Sequence, residues 1–186
     1  SFEPILNELK NIATLKEDYF KCISQKTSAL FAGIARGVAL IGQRDLRFQQ
    51  QLEELFFNLG AVFQMQDDIL DLYGNKQRKA VGNDIQEGKV SILVVTHLAR
   101  YPEDLEFLQA VLRKPREITS VQDVQEIIEL FQKKGALDAA LDQIGEVLVQ
   151  MRNSPILSAS PGLQDFFASF LEQIFLPIRH LRDFQW

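Results

Sequence analysis

Apolar residues recur three and four positions apart through nearly all of this chain, and runs of strict alternation are scarce. That period reads as helix after helix with no sheet, an all-α chain. Glu3 to Lys10 is a short amphipathic piece. Thr14 fits an N-cap, with Glu17 three residues on completing a capping box, and the pattern then runs from Leu15 to about Gly42. A second long helix spans Leu46 to Tyr73, where Gly74 fits a left-handed cap. Gly74 to Lys89 reads as loop. Val90 to Arg100 is a compact, almost wholly apolar helix. Pro102 opens the next helix, which runs to about Arg113, and Ser120 caps another to Lys134. Gly135 kinks or divides that segment from Ala136–Arg152. Asn153 to Gly162 is a loop, and Leu163 to Leu176 is a Phe-rich helix before Pro177. No repeat or linker interrupts the pattern, so a single domain over residues 1–186 is expected.

Composition narrows the functional classes. Hydrophobic residues make up 46% of 186 residues, with 14 Phe, enough for a bulky core. A net charge of −5 disfavours nucleic acid as a general partner. No apolar run reaches the roughly 18 residues of a membrane span. Cys22 is the sole cysteine, so no internal disulfide is possible. That fits a reducing compartment, and with no signal peptide visible the expected location is cytoplasmic. Two histidines, His97 and His180, leave little for a His-based metal site or triad.

Three patches carry candidate chemistry. On a helix, Gln64, Asp67, Asp68 and Asp71 share an arc of about 100°, with Val62, Met65, Ile69 and Leu72 turned away. Like charges so placed cost roughly 0.2–0.5 kcal/mol per pair. Three close carboxylates suit a hard divalent ion such as Mg²⁺. Taken alone, such a stripe is more often a solvated face. The second patch is the loop behind it, with Lys76, Arg78, Lys79 and Lys89 among Gly74, Gly82 and Gly88. Beside a metal-binding stripe it makes a phosphate grip, since an Mg²⁺–polyphosphate complex needs carboxylates on one side and cations on the other. The third patch is Lys26-Thr27. Lys26, Gly33 and Gly37 fall on one line of a regular helix, near Leu30. Two readings stay open: close helix packing through the glycines, or a groove for a long apolar group with an anion-binding Lys at its mouth.

These residues resemble a known family. Gln64, Asp67, Asp68 and Asp71, followed by Lys79, Gly82, Asp84 and Lys89, are similar to the second aspartate-rich region of trans-isoprenyl diphosphate synthases. Tyr19, Lys26, Thr27, Leu30 and Phe31 resemble that family's Lys-Thr helix, at the matching distance upstream. The resemblance is strong from about Tyr19 to Leu98. It implies an isoprenoid-synthase-type helical bundle, a homodimer, and head-to-tail condensation of isopentenyl diphosphate with an allylic diphosphate, assisted by Mg²⁺ through a carbocation. By position it implies metal binding by Asp67 and Asp71, with Asp68 in support. It implies diphosphate binding by Lys26, Lys79 and Lys89, oxygens of Thr27 and Gln64 facing the cation, and a pocket lined by Phe63 with Leu30 and Ile34.

One departure is plain. The family's first aspartate-rich motif lies upstream of the Lys-Thr helix, and no such motif precedes Lys26 here. A chain beginning Ser1-Phe2 is therefore expected to be the C-terminal portion of a synthase, with the N-terminal helices of the bundle absent. The alternatives are a non-catalytic partner subunit or binding module of the same fold, and a terpene cyclase of the same superfamily.

Overall fold

A computed structural model describes residues 12–74 and 81–184. All regular structure among the described residues is helical. Helix α1 is Ile12–Ile23, continued by a π-helical turn, Ser24–Ser28, into α2, Ala29–Ile41. Helix α3 is Leu46–Tyr73, and a single helical turn, α4, is Asn83–Gln86. Then come α5 Ile92–Arg100, α6 Leu105–Leu112, α7 Val121–Lys134, α8 Ala136–Arg152, α9 Pro155–Ala159 and α10 Pro161–Phe175. Short 3₁₀ turns sit at Pro102–Asp104, Arg116–Ile118 and Leu176–Ile178.

The long helices follow the apolar period closely, and several punctuation marks do too. Ser120 caps α7 through a capping box with Asp123, whose backbone N–H donates to Ser120 Oγ. Gly135 ends α7 in the left-handed conformation, at φ 68°. Other expectations are corrected. Thr14 lies inside α1 and not at its start: Ile12 and Ala13 are already helical upstream of it. Gly74 does end α3, but not in the left-handed region. A Cβ there would stand 2.4 Å from the Leu70 carbonyl oxygen, so that position excludes side chains by crowding. The loops 74–89 and 153–162 each contain a short helix, α4 and α9. The Glu3–Lys10 segment lies outside the described residues.

The chain clusters into two compact units, each built from two stretches. The first takes residues up to Lys21 and Asp67–Asp142; the second takes Cys22–Gln66 and Gln143–Trp186. In the first unit, α5 is buried along Ile92–Val95, with His97 and Leu98. In the second unit, α3 buries Leu52, Leu55, Leu59, Val62 and Met65. Here Gln66 is buried too, and its Nε2 donates to the Ile174 carbonyl at 2.8 Å.

The first unit holds a buried polar network. His97 is 1% exposed and lies against the rings of Tyr101 and Phe131. Its Nε2 is 2.7 Å from Asp104 Oδ2, which also accepts from Lys134 Nζ at 2.6 Å. Nδ1 is buried with no partner in the structure. Burial holds the His97 pKa below its ordinary value, and the bond to Asp104 offsets only part of that. A histidine depressed on folding contributes stability that is complete above its unfolded pKa, about 6.5. That contribution is lost as pH falls through the lower folded value. Urea midpoints should therefore decline as pH drops below about 6.5. His97→Gln, which keeps a donor for Asp104 but takes no proton, should flatten that limb of the profile. An unchanged slope would remove His97 as its source.

Candidate functional site

In the first unit, the end of α3 organises the segments downstream of it. Asp68 is buried and accepts from Tyr19 Oη at 2.7 Å and from the Ile92 backbone N–H at 2.9 Å. Ile92 is the first residue of α5, whose opening N–H groups have no partner within the helix. A buried helix start needs an acceptor, and a carboxylate also suits the positive end of the helix dipole. Asp71 does the same for α4. Its Oδ1 accepts from the Asn83 N–H at 3.1 Å and its Oδ2 from the Asp84 N–H at 3.0 Å. The Asp71 carbonyl accepts from the Gly82 N–H. Gly82 has φ 82°, and a Cβ on it would meet Val124 Cγ1 at 2.4 Å. Asp67 is exposed.

Lys89, at the far end of the loop, returns to the same place. Lys89 Nζ lies 2.8 Å from Asp84 Oδ1 and 2.6 Å from Glu87 Oε2. Arg116 also pairs with Glu87, and its Nη2 reaches Asn83 Oδ1 at 3.3 Å. Burial alone would lower the Lys89 pKa, but its bonds to Asp84 and Glu87 outweigh this and hold it above its usual value. Burial also lifts the Asp71 carboxyl above its ordinary range. The amide bonds from Asp84 and Asn83 and the Lys89 charge pull it down, while the Asp84 charge pushes it up. Lys79 lies outside the described residues. Among the described residues, no three His, Cys, Asp or Glu side chains stand close enough to hold a metal ion by themselves. The shared arc drawn for the stripe therefore divides: Asp68 turns inward and Asp67 outward.

In the second unit, the π turn carries Lys26, which is exposed, and Thr27. Thr27 Oγ1 donates to Gln64 Oε1 at 2.9 Å. Phe63 is 41% exposed, and its ring lies 5.5 Å from that of Phe31. Helix α2 is amphipathic in an unusual sense. It buries Ala32, Ala35 and Ala39, while Leu30, Ile34 and Val38 are each about 60% exposed. A Cβ on Gly33 or Gly37 would meet nothing within 4 Å. Among the described residues, then, neither glycine makes a helix-packing contact, and the face beside Lys26 is open and apolar. The π turn also breaks the single line drawn through Lys26, Gly33 and Gly37, because each i→i+5 turn takes up an extra residue.

Sequence reasoning missed the partners. Tyr19 stood in the motif without a role, and nothing marked Ile92, Asn83 or Arg116, whose contacts join segments far apart in sequence. A signal was available only for α4, where Gly82 precedes Asn83 and Asp84.

The all-helical fold is shared with solved isoprenyl diphosphate synthases. The crystal structure of heptaprenyl diphosphate synthase from Staphylococcus aureus matches 88% of this chain and 51% of that one, with a TM-score of 0.76 and 20% identity. Polyprenyl synthase from Caulobacter crescentus CB15, complexed with calcium and isoprenyl diphosphate, matches 84% of this chain and 50% of that one, with a TM-score of 0.67 and 26% identity. The polyprenyl synthetase family model matches residues 6–131, and this chain belongs to that family. The short chain isoprenyl diphosphate synthase of Methanothermobacter thermautotrophicus is 35% identical over 128 residues, 67% of this chain and 38% of that protein. The geranylgeranyl diphosphate synthase of Saccharolobus solfataricus is 29% identical over 145 residues, 76% of this chain and 44% of that protein. The chain thus spans about two-fifths of the length of these relatives. No helix among the described residues is long and apolar enough to cross a membrane.

Proposed function

We propose that this chain supplies part of the active site of a prenyltransferase that condenses isopentenyl diphosphate with an allylic diphosphate. The observation that carries the reading is in the first unit. Asp71, Asp84 and Lys89, spread over nineteen residues of sequence, are drawn into one hydrogen-bonded group. A diphosphate with its counter-ion requires such a mixture of carboxylate and ammonium.

The donor set fits Mg²⁺. Magnesium is commonly held by one or two carboxylates, with water and substrate phosphate completing its shell. Asp67, exposed, and Asp71, half-buried one turn further on, offer hard oxygens of that kind. The raised Asp71 pKa marks a carboxylate that gains from a cation nearby. Asp68 holds the end of α3 in place through Tyr19 and Ile92. Bound Mg²⁺ would stabilise negative charge on the departing diphosphate.

Lys89 in the first unit, with Lys79 of the same loop, neutralises diphosphate oxygens. To do so Lys89 must exchange Asp84 or Glu87 for phosphate, and Arg116 is already in place to keep Glu87 paired. In the second unit, Lys26 is assigned to diphosphate oxygens. Thr27 gives its proton to Gln64, which leaves its lone pairs for a positive centre. Phe63, Leu30 and Ile34 present apolar surface suited to a hydrocarbon tail. The allylic C–O bond ionises first, its electron pair leaving with pyrophosphate; the isopentenyl double bond then attacks C1 of the carbocation, and the proton lost in closing the product passes to pyrophosphate. His97, buried and tied to Asp104, takes no part. A homodimer belongs to the same reading.

The test is a chimera in which this chain replaces the matching segment of the Methanothermobacter synthase. It should form prenyl product from labelled isopentenyl diphosphate. A folded chimera that binds Mg²⁺ and diphosphate but makes no product would favour the binding-module alternative. Within the active chimera, Lys89→Ala should raise KM for the allylic diphosphate roughly tenfold or more, the scale of one lost charge-assisted contact. An unchanged KM would take Lys89 out of the phosphate grip.

A further inference from the structure

The turn that carries Lys26 and Thr27 is π-helical, with the Ala29 N–H reaching the Ser24 carbonyl five residues back. Across from it lies Gly60 of α3. A Cβ added at Gly60 would stand 2.7 Å from Ser28 Cα, 3.2 Å from Ser28 N and 3.2 Å from the Thr27 carbonyl oxygen. All three are backbone atoms, so no side-chain rotation relieves the clash. Ser28 itself is 0% exposed, and its Oγ has no partner. A buried hydroxyl in that state is unfavourable. One helical turn beyond Gly60 is Gln64, the acceptor of the Thr27 hydroxyl.

We propose that Gly60 is a positioning residue: its missing side chain sets the depth at which the π turn seats on α3, and so brings Thr27 onto Gln64. The inference rests on the function proposed above for Thr27 and Gln64. Ordinary Cβ contacts begin near 3.4 Å, so a methyl group at position 60 obliges the turn to retreat by about 0.7 Å. The Thr27–Gln64 hydrogen bond, at 2.9 Å, does not survive a retreat of that size, since such bonds fail beyond about 3.5 Å. Gly33 and Gly37, with nothing near them, impose no such constraint.

The test compares Gly60→Ala with Leu59→Val in this chain. Leu59 is the fully buried neighbour, so its truncation lowers stability without touching the turn. Gly60→Ala should shift the Gln64 side-chain amide signals in NMR spectra and speed hydrogen exchange at the Ala29 amide. Because Lys26 sits on the same turn, the retreat should also weaken binding of inorganic pyrophosphate with Mg²⁺, followed by calorimetry, roughly tenfold. Leu59→Val should lower the melting temperature and leave all three readouts in place. If Gly60→Ala proves too unstable, adding Gly162→Ala, at an exposed helical site with nothing within 4 Å, raises helix propensity and restores the comparison. Unchanged Gln64 and Ala29 signals in Gly60→Ala would overturn the positioning role. Failure of the wild-type chain to bind pyrophosphate would instead count against the proposed function, and the NMR comparison would still decide Gly60.

Discussion

Replacing Asp67 by alanine is expected to lower product formation by the chimera about a thousandfold, the scale seen when one charge-stabilising group leaves an active site. The melting temperature of this chain should move by no more than about 2 °C. The contrast follows from position. Asp67 faces outward from α3, so in the proposed role its carboxylate would serve a bound cation, and its loss leaves the buried side of the helix untouched. Steady-state rates with Mg²⁺ in excess, alongside a thermal melt, separate the two effects. Full turnover in Asp67→Ala would remove this residue from the metal site.

The next residue should behave in the opposite way. Asp68→Ala strands the Tyr19 hydroxyl and the first N–H of α5 in the interior, where each loses its acceptor. Unsatisfied buried groups cost about 1–3 kcal/mol apiece, so a loss of roughly 2–6 kcal/mol is expected for the two. That is at least about 10 °C in the melting temperature for a unit of this size. Asp68→Asn keeps an acceptor oxygen of the same shape and should recover about half of the loss. Urea unfolding of the three proteins gives the order wild type, Asn, Ala. An Asp68→Ala variant as stable as wild type would show that Tyr19 and Ile92 do not depend on it.

This pair shows where the sequence was legible and where it was not. The helical period alone located α3 and α8 to the residue, because a long apolar stripe flanked by polar positions has few other uses. Ser120 was legible because an N-cap is a local device: its partner, Asp123, lies three residues away. Asp68 was not. A helical wheel places it beside Asp67 and Asp71, and its burial is decided by Tyr19 and Ile92, which lie 49 and 24 residues away. The π turn was hidden for a related reason. Ser24 to Ser28 carry ordinary helical residues, and the wider register is tied to the absence of a side chain at Gly60, on another helix. The two-unit division is likewise a matter of long-range contact, with both units assembled from separated stretches and no change of composition at their borders. The resemblance reached further than pattern did at the site. It named Thr27 and Gln64 from spacing, and in the second unit these two side chains meet.

The bond from Gln66 to the Ile174 carbonyl bears on the order in which the molecule is made. Its two ends are 108 residues apart. At about 5–20 residues per second, translation separates them by roughly 5–20 s. During that interval α3 has left the ribosome with an amide that folding will bury and with no acceptor yet synthesised for it. The second unit therefore closes only when α10 emerges. Until then the apolar side of α3 that carries Leu55, Leu59 and Val62 is open to chaperones, and a ribosome stalled before Ile174 would release a chain unable to complete that unit.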